Sequence, residues 1–100
     1  MSSDVNEIKH ILKKYYYFTA VISSGKADLG LVEKMAAINA ALQNLDSIDR
    51  NLIEMLYMRR QSADDVAKQL FIDRSTVFRR AKAIVDDIWY CFGGKFKKGA

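Results

Sequence analysis

An all-α fold of about five helices is predicted by three observations. There is no proline, and all five glycines lie in 25–30 or 93–99, so nothing breaks the long stretch between them. Half of the residues are hydrophobic and 28% are charged, the balance of a globular chain with one modest core. The apolar residues recur at spacings of three and four, the period of a helix face rather than a strand. One hundred residues suit a single helical domain. It is expected over 1–92, with N-terminal helices in 4–44, a second part in 45–92 and a flexible basic tail in 93–100.

The first helix is expected from Asp4 to Ile22. Ile8, Ile11, Leu12, Tyr15, Phe18, Thr19 and Ile22 share one face, and Asp4 with Glu7 has capping-box spacing. The run "YYYF" (Tyr15 to Phe18) overfills a single stripe. Tyr15 and Phe18 are expected inside, with Tyr16 and Tyr17 on the flanks, covered by neighbouring helices or by a second copy of the chain. "SSGKADLG" then breaks the chain, with Gly25 placed for a left-handed helix end and Asp28 for the next cap. Its "SGK" lacks the spaced first glycine and following Ser/Thr of a phosphate loop, so it reads as a turn.

The second helix, Leu29 to Asn44, turns Leu31, Met35, Ile38 and Leu42 inward, with Leu45 after them and Val32 beside them. The third, in Leu45 to Arg60, is capped by Asp46 or Ser47 and buries Ile48, Leu52, Ile53, Leu56 and Tyr57. Ser62 caps a short fourth helix, Ala63 to Leu70, and Asp64 and Asp65 suit its positive N-terminus. The last helix starts at Asp73 and runs to Phe92, where "GG" ends it. Val77, Ala81, Ile84, Val85, Ile88 and Trp89 form its apolar face.

The net charge is +4 and its distribution is uneven. Residues 62–100 hold eight Lys/Arg against five Asp/Glu, whereas residues 1–61 hold eight against seven. The excess gathers in Arg74–Lys82 and Lys95–Lys98, a pattern that favours an anionic partner, nucleic acid first. No apolar run approaches the roughly 20 residues of a membrane span. The N-terminus lacks a signal-peptide pattern, and the single Cys91 forms no internal disulfide. A soluble protein of the cytoplasm is expected. His10 and Cys91 belong to no nucleophile or metal-ligand spacing, so no enzyme, cofactor or metal site is expected. His10 reads as a surface residue and Cys91 as packing.

The segment "SADDVAKQLFIDRSTVFRRAKAIV" (Ser62 to Val85) has the residue types of a helix-turn-helix at the right spacings. Ala67 is small where two helices must cross. Val66, Leu70, Ile72 and Val77 pin both helices to a core. The second helix keeps a free cationic face, as entry into a major groove requires. With Val77 and Ala81 inward, Arg74, Ser75, Thr76, Phe78, Arg79 and Lys82 point outward.

Together with "LDSIDRNLIEMLY" (Leu45 to Tyr57), this segment resembles region 4 of bacterial sigma factors. It is most similar to the small phage and prophage regulators of the ArpU/RinA type. The likeness covers Leu45 to Val85, and it implies a regulator of late phage genes that works on double-stranded DNA in a bacterial cytoplasm. Phe71 stands where such corners place glycine. A wider corner, with Phe71 right-handed and its ring packed on the third helix, accommodates it. Arg80 stands where Ile or Val is usual; a small helix rotation lets Ala81 take the inward contact and Arg80 reach a phosphate.

Roles follow from the geometry of the groove. Arg79 suits a bidentate guanine contact and Phe78 a thymine methyl, with Ser75 and Thr76 at the deep end. Arg74, Arg80 and Lys82 suit phosphates, flanked by Arg59, Arg60 and Lys68. Two copies are expected on two half-sites, with Tyr16, Tyr17, Ile88, Trp89 and Phe92 as the candidate dimer surface. The alternative is a protein-interaction module that binds RNA polymerase or another regulator without reading DNA itself. Phe71 and Arg80 favour that alternative.

Overall fold

A computed structural model describes residues 2–93, with side-chain burial from Val5 onward. Apart from Gly93, the expected basic tail lies outside the described residues. The described chain is all-helical: α1 (Ser2–Lys13), α2 (Tyr15–Ser23), α3 (Leu29–Asn44), α4 (Ser47–Ile53), α5 (Ala63–Leu70) and α6 (Arg74–Phe92). A π-helical turn, Glu54–Met58, continues α4. Among the described residues no helix is long and apolar enough to cross a membrane.

The expected first helix is two helices, because its apolar residues face different partners. Lys14, at φ −107° and ψ 21°, breaks it. Its N–H is shared between the carbonyls of His10 and Ile11, at 3.1 and 3.2 Å. Before the break, α1 lies against α6, with Ile8 and Leu12 fully buried. Beyond it, α2 lies against α3, and the Tyr15 hydroxyl donates to Asn39 Oδ1 at 2.6 Å. Thr19, expected inside, is exposed. α1 begins at Ser2, two residues before the expected start, and Glu7 pairs with Lys34 of α3.

The caps and turns between the later helices follow the sequence closely. Gly25 is left-handed, at φ 79°. Asp28 and Asp46 accept from the backbone N–H of Leu31 and Asp49, each at 2.8 Å. Ser62 accepts from Asp65 N–H at 3.1 Å. Each such cap contributes about 1 kcal/mol by satisfying an amide that the helix leaves free. Arg50 folds back over the end of α3, donating to the carbonyls of Leu42 and Leu45 at 3.0 and 3.1 Å. These bonds tie the first turns of α4 to the end of α3.

α6 is the central element and packs on α1, α3, α4 and α5. Its Val77, Ala81, Ile84, Val85 and Ile88 join Ile38, Leu52, Ile53 and Val66 in one buried cluster. Each fully buried aliphatic side chain there contributes about 1.5–3 kcal/mol. Two further expected core residues lie outside the cluster. Ile48, in the first turn of α4, is 54% exposed, and Val32 is also exposed. Ile88 is buried, and Trp89 and Phe92 pack against the cluster. Of the expected dimer surface, Ile88 therefore belongs to the core, Trp89 and Phe92 are half-buried, and Tyr16 and Tyr17 are exposed. Cys91, expected as packing, is exposed.

Candidate functional site

The site is the outer face of α6 together with the corner that leads into it. α5 is short, and Ala63, Val66 and Ala67 bury its inner face against α4 and α6. The small Ala67 lets α5 and α6 come close. α5 ends where Phe71 turns left-handed, at φ 58° and ψ 44°. The Ile72 N–H then closes on the Ala67 carbonyl at 3.0 Å, and Ile72 packs on the core. This is the six-residue closure of a helix end, in which the residue before the last amide must be left-handed. The corner is therefore tight rather than wide. The Phe71 ring is 94% exposed instead of packed on α4, at a backbone cost of about 1 kcal/mol relative to glycine.

Asp73 has the extended backbone of an N-cap, φ −73° and ψ 151°, but its carboxylate makes no capping hydrogen bond. Arg74, Ser75, Phe78, Arg79 and Lys82 follow on the outside of α6, all exposed, while Thr76 is half-buried. Burial of Val77 and Ala81 sets this register. The Arg74 guanidinium lies 5.6 Å from the centre of the Phe78 ring, close enough for a cation–π contact. Its Nε is also 3.5 Å from Asp64 of α5. Arg79 donates to Thr76 Oγ1 at 3.3 Å. Lys82 pairs with Asp86 at 2.7 Å. These pairs are water-exposed, and each contributes little to stability.

Arg80 does not belong to this face. It reaches inward to Asp49 of α4, with Nε and Nη2 donating to Oδ1 at 3.1 and 2.6 Å. Those bonds, and then the charge of Asp49, hold its guanidinium above the ordinary arginine range, with Asp46 adding to them. Arg80 replaces an aliphatic contact with an ion pair that ties α6 to α4, so no helix rotation is needed.

The flanking cations divide. Lys68 shares a shallow concavity at the corner with Phe71 and Arg74. Arg59 is turned towards α2, where Glu54 accepts both its Nη2 at 3.1 Å and the Tyr16 hydroxyl at 3.4 Å. Tyr16 first, and Glu54 after it, raise the Arg59 guanidinium above its usual range. Arg60 is exposed at φ 56° in the link to α5.

A second concavity, of about 370 Å³, runs between α1 and α6 and was not legible in the sequence. Asn6 and Lys9 of α1 face Phe78 and Lys82 across it, over Tyr57. Burial pushes the Tyr57 phenol above its ordinary value. Lys9 is thus a further cation beside the outward face, and only the docking of α1 on α6 brings it there.

His10 is exposed and meets Phe18 edge-on at 6.0 Å. Among the described residues no three His, Cys, Asp or Glu side chains come together as a metal would need. No family model, curated protein or solved structure matches the chain.

Proposed function

We propose that the chain is a sequence-specific double-stranded-DNA-binding regulator of transcription, with α5 and α6 as a helix-turn-helix and α6 as its reading helix. The observation that carries this reading is the outward row Arg74, Ser75, Phe78, Arg79 and Lys82. It stands on a helix whose opposite face is locked by Val77 and Ala81 and whose corner is closed by Ile72. A helix so held presents donors and an apolar ring to base edges without having to order them first.

In this reading Arg79 contacts guanine and Phe78 a thymine methyl, while Arg74, Lys82 and Lys68 hold phosphates. Arg80 has a different role and anchors α6 through Asp49. The likeness of Leu45–Val85 to sigma region 4 and to ArpU/RinA-type regulators makes a phage or prophage protein the proposal, acting on late-type genes in a bacterial cytoplasm. One reading helix covers few base pairs, so two copies bind adjacent half-sites. Of the aromatics expected at the dimer surface, Tyr16 and Tyr17 are exposed and available for contact between them.

Selection from a random duplex pool tests the proposal. The parent should enrich one motif, in two copies, and Arg79→Ala should blur the position that Arg79 reads, at a cost of about 1–3 kcal/mol. Failure to enrich any motif would reject it. A second reading has its own observation in Tyr16, Tyr17 and Phe71, aromatics exposed on a small domain. There the chain is an interaction module for RNA polymerase or another regulator, and polymerase binding without duplex binding would establish it.

A further inference from the structure

Two helix ends in this chain close in the same way. After α2, Gly25 is left-handed at φ 79° and Lys26 N–H bonds the Val21 carbonyl at 3.2 Å. After α5, Phe71 is left-handed at φ 58° and Ile72 N–H bonds the Ala67 carbonyl at 3.0 Å. Glycine adopts that conformation without steric cost, and phenylalanine does not. Phe71 also returns nothing through packing, since its ring is 94% exposed. Folding fixes the left-handed backbone of this corner but does not explain a phenylalanine there with its ring in water, and strain kept in this way points to use.

Its surroundings indicate what the ring meets. Phe71 shares its concavity with Lys68 and Arg74. Arg74 in turn lies over Phe78, 5.6 Å from the ring centre. Two cations therefore share a concavity with an apolar ring at the entry to α6, together with Asp64 and Asp73. Both acids are exposed, and Asp64 holds Arg74 at 3.5 Å in water, where a phosphate can take its place. An apolar face beside two positive charges is complementary to one strand of a duplex, which alternates deoxyribose with phosphate.

We infer that Phe71 is a DNA-backbone contact: its ring seats on a deoxyribose while Lys68 and Arg74 hold the phosphates on either side. The inference rests on the proposed reading of duplex DNA by α6. The contact carries no charge and reads no base. It raises affinity for every sequence, leaves the preferred motif unchanged, and leaves the salt dependence to the cations.

The test uses the full chain and the duplex enriched by selection, fluorescently labelled, with Phe71→Gly, Phe71→Asn and Arg79→Ala as variants. Glycine and asparagine both accept the left-handed corner, so both Phe71 variants should melt no lower than the parent. Both should bind about three- to tenfold more weakly. The slope of log affinity against log salt and the enriched motif should match the parent's. Parental affinity in both Phe71 variants, with motif loss confined to Arg79→Ala, would overturn the inference and leave the proposed function standing. Phe71 variants that melt below the parent would make the ring structural and also overturn it. A parent that binds no duplex would remove the proposed function and the inference together.

Discussion

Replacing Arg80 by alanine should destabilise the protein and leave its duplex binding intact, although Arg80 sits in the middle of the most basic stretch of the chain. Its guanidinium makes two bonds to one carboxylate oxygen of Asp49, at 3.1 and 2.6 Å. The side chains are 40% and 23% exposed, so water screens the pair substantially. Exposed pairs contribute about 0.2–1 kcal/mol and charge-assisted bonds somewhat more, which places the coupling at about 1 kcal/mol. In a domain of this size that corresponds to a melting shift of about 4–8 °C. A double-mutant cycle of Arg80→Ala and Asp49→Ala in urea isolates the coupling from the effect of each truncation. A coupling below about 0.3 kcal/mol would refute the reasoning. So would an Arg80→Ala variant of parental stability that binds duplex poorly, because Arg80 would then point outward.

Three further outcomes are expected. Leu12→Ala removes a fully buried side chain where α1 meets the core and should cost about 2–5 kcal/mol in urea titration, enough to show that α1 is part of the cooperative unit. In Gly93→Ala the added Cβ would lie 2.8 Å from Trp89 Cε3. The single tryptophan should therefore shift and its emission move to longer wavelength; an unchanged spectrum would contradict that packing. Burial raises the Tyr57 phenol above its ordinary value, so its contribution is complete below about pH 10 and is lost as pH rises through the higher folded value. The stability of Tyr57→Phe relative to the parent should accordingly rise over that alkaline range, measured by urea unfolding, and a constant difference would exclude the effect.

Much of the fold was legible because it is encoded locally. Asp28, Asp46 and Ser62 are capping residues whose partners lie three positions on, and all three caps form. The α6 register was legible because Val77, Ala81, Ile84, Val85 and Ile88 keep helical spacing, and all five are buried. What could not be read depends on neighbours distant in sequence. The break at Lys14 separates α1, which packs chiefly on α6, from α2, which packs on α3. The inward turn of Arg80 depends on Asp49, 31 residues earlier. Lys9 reaches the outer face of α6 only through the docking of α1. Phe71 is a different case. Side-chain preference argues against a left-handed phenylalanine, but the packing of the half-buried Ile72 and its closure onto Ala67 fix the corner regardless.

Contact between the outer face of α6 and DNA is tested by titrating the ¹⁵N-labelled protein with the selected duplex and mapping the amide shifts. The expected map centres on Lys68, Phe71 and residues 74–82, with the Arg79 side chain among the most shifted and Tyr16 and Tyr17 unaffected by the DNA itself. Shifts that gather on α2 and α3 while residues 74–82 stay unchanged would contradict the claim and leave α6 as a scaffold helix.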